Sequence, residues 1–215
     1  LTPPLSDDPE IIKQLQEHRV PFVRIAPSET KANGRDVAID DQAAAKEMTL
    51  YLVGLGHRRI GFIRGAETHD QASGRYVGYK NALQEAGIPF DEALVAKGDF
   101  TFDSGIVAAD QLLDRATRPT AIFASNDDMA AGVVAACYRR RIQIPLDLSV
   151  AGFDDTPLAA TISPSLTTIY QPSRELASEA VGLLLEEIAA PSETPRRHLL
   201  EYRMVPRDST APPRQ

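Results

Sequence analysis

A single cysteine, Cys137, in 215 residues excludes an internal disulfide and a zinc site built on thiolates. The four histidines are scattered, so the sequence shows no metal cluster and calls for no metal or cofactor. No apolar run approaches the ~20 residues that a membrane helix needs. The longest candidate, 181–185, contains Gly182 and runs into Glu186 and Glu187. No secretory n-region or h-region opens the chain. These absences together point to reducing cytosol as the compartment. Positive charge is also short: 23 Lys and Arg face 30 Asp and Glu, a net charge of -7. Phosphate contacts need a surplus of Lys and Arg, so this segment is a poor nucleic-acid binder. Any DNA contact is expected from residues outside it. Leu1 stands where a methionine would start a gene product, and 1–4 reads as a strand end running into a loop. A longer chain upstream is the expectation.

What is present is ordinary for a globular protein, with 43% hydrophobic and 25% charged residues. The length admits one large or two small domains. Strand and helix alternate almost to the end. Helices are expected over 9–19, 40–55, 72–86, 103–115, 127–141 and 173–190. In the last of these, Leu176, Ala180, Leu183, Leu184 and Ile188 recur at helical spacing. Strands are expected over 20–26, 37–39, 59–64, 94–97, 120–124, 148–153, 166–170 and 198–204, with a frayed tail over 208–215. Such alternation means βαβ units and a parallel sheet, the α/β class.

Ligands of open parallel sheets sit at the carboxyl ends of the strands. Polar residues follow the strands there: Gln71 and Arg75 after 60–64, Asp99 and Phe100 after 94–97, Asn126 and Asp127 after 121–124, and Asp154 and Asp155 after 149–153. Capping accounts for some of them, since Asn126 and Asp103 are good N-caps.

Four motifs converge in order and spacing. Gly56-His57-Arg58-Arg59-Ile60-Gly61-Phe62-Ile63 is followed by Arg75-Tyr76-Val77-Gly78-Tyr79. Then come 119–130, which contains Ser125-Asn126-Asp127-Asp128, and 148–155, which ends Phe153-Asp154-Asp155. Leu166-Thr167-Thr168-Ile169 and Gln171-Pro172 lie behind them. Together they resemble the regulatory domain of lactose-repressor/galactose-repressor (LacI/GalR) transcription regulators, over about residues 5–207. The resemblance implies two Rossmann-like lobes of periplasmic-binding-protein type, with an effector between them. It places 1–39 and 171–190 in an amino-terminal lobe that is incomplete here, and 40–168 with 198–207 in the carboxy-terminal lobe. A DNA-binding headpiece is expected to precede both.

Arg75 sits at the family's ligand-contacting Arg-x-x-Gly-Tyr position. Its planar guanidinium can face two adjacent hydroxyls. Asp154 matches the ligand aspartate and can accept two hydrogen bonds, while Asp155 reads as a cap of the next turn. Asn126 suits a hydroxyl or caps a helix. Phe100 matches a position where the family sets a ring against the ligand's apolar face, or it packs the core. Gln71 completes the candidate set. Ala26-Pro27 stands where many members carry an acid, so the amino-terminal lobe's contact differs here.

Catalysis finds no support in the residues. A hydrolase needs paired carboxylates about a bond, or a nucleophile with its base. Cys137 lies in a helical run, His57 reads as a turn stabiliser, and His69 has no nucleophile beside it. Gly61-Phe62-Ile63-Arg64-Gly65 is not a phosphate-cradling loop. The expected function is sensing of a sugar or sugar derivative by a repressor, with operator DNA bound through the headpiece. A homodimer is expected through 127–141 and 157–164, where Leu158 and Ile162 offer apolar surface. The alternative is a periplasmic sugar-binding protein of a transporter.

Overall fold

Parallel neighbours in a sheet must be joined by crossovers, and here the crossovers are mostly helices. The computed structural model describes residues 1–27, 35–66, 70–190 and 194–214, the side chains of 70–72 excepted. Asn33-Gly34, a dipeptide that marks a loop in the sequence, and the residue His69 lie outside the described residues. In chain order the elements are α1 (Pro9–Glu17), β1 (Arg24–Ile25), β2 (Arg35–Ala38), α2 (Asp41–Gly54), β3 (Ile60–Arg64), α3 (Asp70–Glu85), β4 (Val95–Lys97), α4 (Phe102–Leu113), β5 (Ala121–Ala124), α5 (Asp127–Arg139), β6 (Ser149–Ala151), α6 (Pro157–Thr161), β7 (Thr168–Tyr170), α7 (Ser173–Ala189), β8 (Arg196–Leu199) and β9 (Arg203–Val205).

Two compact units emerge. One is formed chiefly by Leu1–Asp40 and Pro172–Tyr202, the other by Asp41–Glu67, Ala72–Gln171 and Arg203–Gln215. The first carries a parallel sheet of order β1-β2-β8. Asp8 caps α1 by accepting from the amides of Glu10 and Ile11 at 2.9 and 3.0 Å. Val23, Val37, Leu176, Ala180 and Leu183 form its core. Arg24 is buried there and forks onto Asp36 at 2.8 and 2.7 Å.

The second unit is a doubly wound sheet of order β4-β3-β5-β6, all parallel. Side chains alternate across it. Ile63, Ile122 and Ala124 enter a cluster with Leu112, Val133 and Cys137 of α4 and α5. Phe62 points the other way, stacked on Tyr79 of α3 at 4.8 Å and edge-on to Phe123 at 5.3 Å. Helices α4 and α5 meet through glycine. A Cβ on Gly105 would lie 2.3 Å from the Met129 carbonyl oxygen, and one on Gly132 would lie 2.3 Å from that of Phe102.

Three expectations need correction. The alternating run 198–204 is two strands, not one. β8 pairs with β2 in the first sheet, whereas β9 runs antiparallel to β7. Period-two alternation says that a segment is extended but not which sheet it joins. Residues 196–199 therefore lie in the first unit, and only the following strand lies in the second. Helix α4 is capped by Thr101, which accepts from the Ser104 amide at 3.2 Å, while Asp103 lies inside the first turn. The tail is docked, not frayed, over its described residues. Ser209 is 0% exposed, donating to the Val150 carbonyl at 2.6 Å and accepting from the Thr167 amide at 2.8 Å. Backbone bonds from an adjacent strand end make up for the absence of any apolar periodicity in this segment.

Candidate functional site

Strand order fixes where a crevice can open. From β3 the chain goes out to β4 on one side, then returns to β5 on the other. The carboxyl ends of β3 and β5 are therefore a switch point, where the loops diverge and leave a cleft. Arg75 is brought to this point by α3. Gly78, one turn further along the helix, allows the approach: a Cβ there would sit 2.3 Å from the Gln42 carbonyl oxygen of α2. That contact places Asp41, at the start of α2, against Arg75.

Arg75 is 3% exposed. Its Nε donates to Asp41 Oδ1 at 2.7 Å, and its Nη1 donates to the Ser125 carbonyl at the end of β5. Nη1 also lies 3.6 Å from Asp154 Oδ1. The guanidinium covers the ring of Phe153, 3.6 Å from its centroid. Cation–π contact and two hydrogen bonds thus fix the plane of the fork. Among the described residues, nothing pairs with Nη2.

Asp154 follows β6 with φ +112°, an unusual conformation for a residue with a Cβ. Its backbone is held by β7: its amide donates to the Ile169 carbonyl at 2.8 Å. Gln171 Nε2 donates to Oδ1 at 3.0 Å. Burial pushes the carboxyl up to about 7, against the pull of Arg75, and Asp127, Asp41 and Asp128 push the same way. Asp154 Oδ2 has no partner among the described residues. Arg75 Nη2 and Asp154 Oδ2 thus offer donors and an acceptor from one ion pair, the complement of two neighbouring hydroxyls.

Asn126 is otherwise engaged. Its Oδ1 accepts from the Met129 amide at 3.0 Å, capping α5, and its Nδ2 donates to the Phe100 carbonyl at 2.9 Å. Phe100 has φ +71°, and its ring covers Gly65, where a Cβ would come within 2.0 Å of the ring. Asn126 therefore holds the Phe100 loop, and Phe100 is a half-buried ring over the end of β3. Gln71 lies in the first turn of α3, and its side chain is outside the described residues.

Asp155 does not cap the next turn. It accepts from Arg207 Nη2 at 2.6 Å, tying the loop after β6 to the chain beyond β9. Asp127 is fully buried. It accepts from Thr168 Oγ1 at 2.6 Å, from the Thr156 amide at 2.8 Å and from Thr156 Oγ1 at 3.2 Å. Desolvation outweighs these bonds and raises its carboxyl to about 6. Neither His57 nor Cys137 resembles a catalytic group. His57 is buried between Thr120 Oγ1 at 2.8 Å, Ser149 Oγ at 3.1 Å and the Ala211 carbonyl at 3.0 Å. Burial lowers its pKa. Burial also pushes the Cys137 thiol up to about 12, so it is protonated at neutral pH.

Sequence reasoning passed over Asp41, Phe153 and Gln171. Asp41 opens a helix and reads as a terminal acid. Phe153 reads as the end of a buried strand. Gln171 was visible in the Gln171-Pro172 motif but carried no partner until β7 was placed.

A family model described as a periplasmic binding protein-like domain matches residues 49–210. Catabolite control protein A of Priestia megaterium is 35% identical over 199 residues, 90% of this chain and 60% of that protein. The HTH-type transcriptional repressor PurR of Shigella sonnei is 36% identical over 209 residues, 96% of this chain and 61% of that protein. The chain thus spans about 60% of the length of these relatives. Among solved structures, the complex of transcriptional regulator CelR with cellobiose superposes with TM-score 0.90 at 33% identity, covering 94% of this chain and 63% of that one. A LacI family transcriptional regulator from Enterococcus faecium with bound ribose gives TM-score 0.88 at 30% identity, covering 95% and 76%.

Proposed function

The chain belongs to the LacI family of transcription regulators, and from that premise we propose that it senses a small sugar or sugar derivative and thereby controls operator binding by the intact regulator. One observation carries the reading of the ligand. Arg75 and Asp154 form a rigid pair at the switch point, with Nη2 and Oδ2 uncommitted among the described residues. A vicinal diol can donate to the carboxylate and accept from the guanidinium at once, with the ring of Phe100 available to an apolar sugar face. Relatives crystallised with cellobiose and ribose support the same class.

Control follows from linkage. A ligand shifts DNA affinity only by its differential affinity for two conformations of the regulator. Asp154 is a suitable transmitter, since its backbone is bonded to β7 and its side chain to Gln171, where the chain leaves this unit. The net charge of -7 assigns DNA contact to other parts of the regulator. The regulator is proposed to act in the cytoplasm, where its operator is.

A twofold dimer is part of the proposal. Helix α5 presents Tyr138, 85% exposed, beside a groove of about 570 Å³ lined by residues including Val134, Ile142, Ile144, Leu146 and Pro164. Exposed apolar surface of this kind marks a contact site.

The test is a gel shift of the intact regulator on its operator, with and without a sugar panel. A shift in affinity with a sugar that binds the wild-type chain, lost in Arg75→Lys, is the expected result. DNA affinity indifferent to every ligand that binds would overturn the proposal.

A further inference from the structure

Resting on the reading of this edge as the effector site, we propose that the site selects uncharged ligands and rejects anionic ones, taking a neutral sugar but not its phosphate ester or acid. Among the described residues Arg75 is the one guanidinium at the pair, and it is already matched by Asp41 at 2.7 Å and Asp154 at 3.6 Å. Its Nη1 also spends a donor on the Ser125 carbonyl.

Asp127 adds a third carboxylate, and among the described residues it is met by neutral donors, the Thr168 hydroxyl and the Thr156 amide and hydroxyl. Asp128 adds a fourth, exposed on the first turn of α5. A helix N-terminus favours anions, but this one is filled by Asn126 Oδ1 and carries both acids.

Other charges nearby do not reverse the balance. Asp155 and Arg207 neutralise one another at 2.6 Å. Asp99 in the loop after β4 brings a further acid, held by Thr101. Arg64, at the end of β3, turns to the α3 face, with its guanidinium 4.6 Å from the Tyr76 centroid. Lys97, at the end of β4, sits on the outermost strand of the sheet and is not free.

A phosphate or carboxylate at the pair would compete with Asp154 for a guanidinium whose charge is already matched by two carboxylates. It would also face the field of the remaining carboxylates. A neutral diol accepts and donates without that penalty. The Asp154 carboxyl already bears this cost: burial raises it most, Arg75 pulls against the rise, and Asp127, Asp41 and Asp128 add to it.

Calorimetric titration of the intact regulator with matched pairs tests the inference: ribose with ribose 5-phosphate, glucose with glucose 6-phosphate and with glucuronate, and cellobiose with cellobionate. For the sugar skeleton that binds, the neutral member is expected to bind about tenfold or more tightly. Asp128→Asn, an exposed change outside the contacts, is expected to narrow the gap. High salt is expected to do the same, since it screens the exposed part of the field. An anionic member that binds as well as its neutral twin, or a gap unmoved by both Asp128→Asn and salt, would overturn the inference while leaving the sugar reading intact. Binding of neither member, with a nucleobase binding instead, would overturn the sugar reading and this inference with it.

Discussion

Replacing Asp154 by asparagine is expected to stabilise the protein at pH 8, to change nothing at pH 4, and to abolish sugar binding at both. Three structural facts give the sign. First, the folded carboxyl titrates near 7, against an ordinary value of 3.8. Between those values the folded state holds a proton that the unfolded chain has released, so stability falls as pH rises through this window. Second, asparagine keeps an oxygen for Gln171 Nε2, which donates to Oδ1 at 3.0 Å. Third, the change strands no charge, because Arg75 keeps Asp41 at 2.7 Å. A shift of about three units corresponds to about 4 kcal/mol at 1.36 kcal/mol per unit. The Asp154 side chain is 26% exposed, and solvent screening reduces the expected gain to about 2 kcal/mol. Urea unfolding of both proteins from pH 4 to pH 8 measures it. The two stability curves should coincide at the acid end and separate between about pH 4 and 7. A variant less stable than wild type at pH 8, or a gap independent of pH, would refute the electrostatic account. Asp127, with its carboxyl near 6, leaves a residual pH dependence of the same sign in both proteins.

Ser209→Ala should destabilise the second unit by about 2–4 kcal/mol, because it leaves the buried Val150 carbonyl and Thr167 amide each without a partner. In thermal unfolding this is a fall of roughly 5–15 °C; a fall under 2 °C would show the tail to be frayed after all. Tyr138→Glu should convert the proposed dimer to monomer at micromolar concentration in sedimentation, with sugar affinity within about twofold of wild type, since a charge in an apolar contact is costly. An unchanged sedimentation profile would remove α5 from the interface.

Local pattern alone determined the class of this protein. Helical and extended periodicities alternate, so the apolar faces can be buried only on a parallel sheet with helices on both sides, and the polar residues after each strand necessarily gather at one edge. Arg75 and Asp154 stood out as candidates for that reason, as a guanidinium and a carboxylate in the segments that follow buried strands. Three things were decided by tertiary structure. How Asn126 is held depended on what its amide could reach, and it bonds the Met129 amide at one end and the Phe100 carbonyl at the other. Asp41 became a partner of Arg75 only when Gly78 let two helices close to contact distance. The split of 196–205 between two sheets, and the docking of 208–214 beside His57 and Ser149, turned on hydrogen bonds between segments 33 to 161 residues apart. Periodicity records which side of a segment is buried. Backbone pairing between distant segments leaves no such periodic trace, because any sequence offers the same amides and carbonyls.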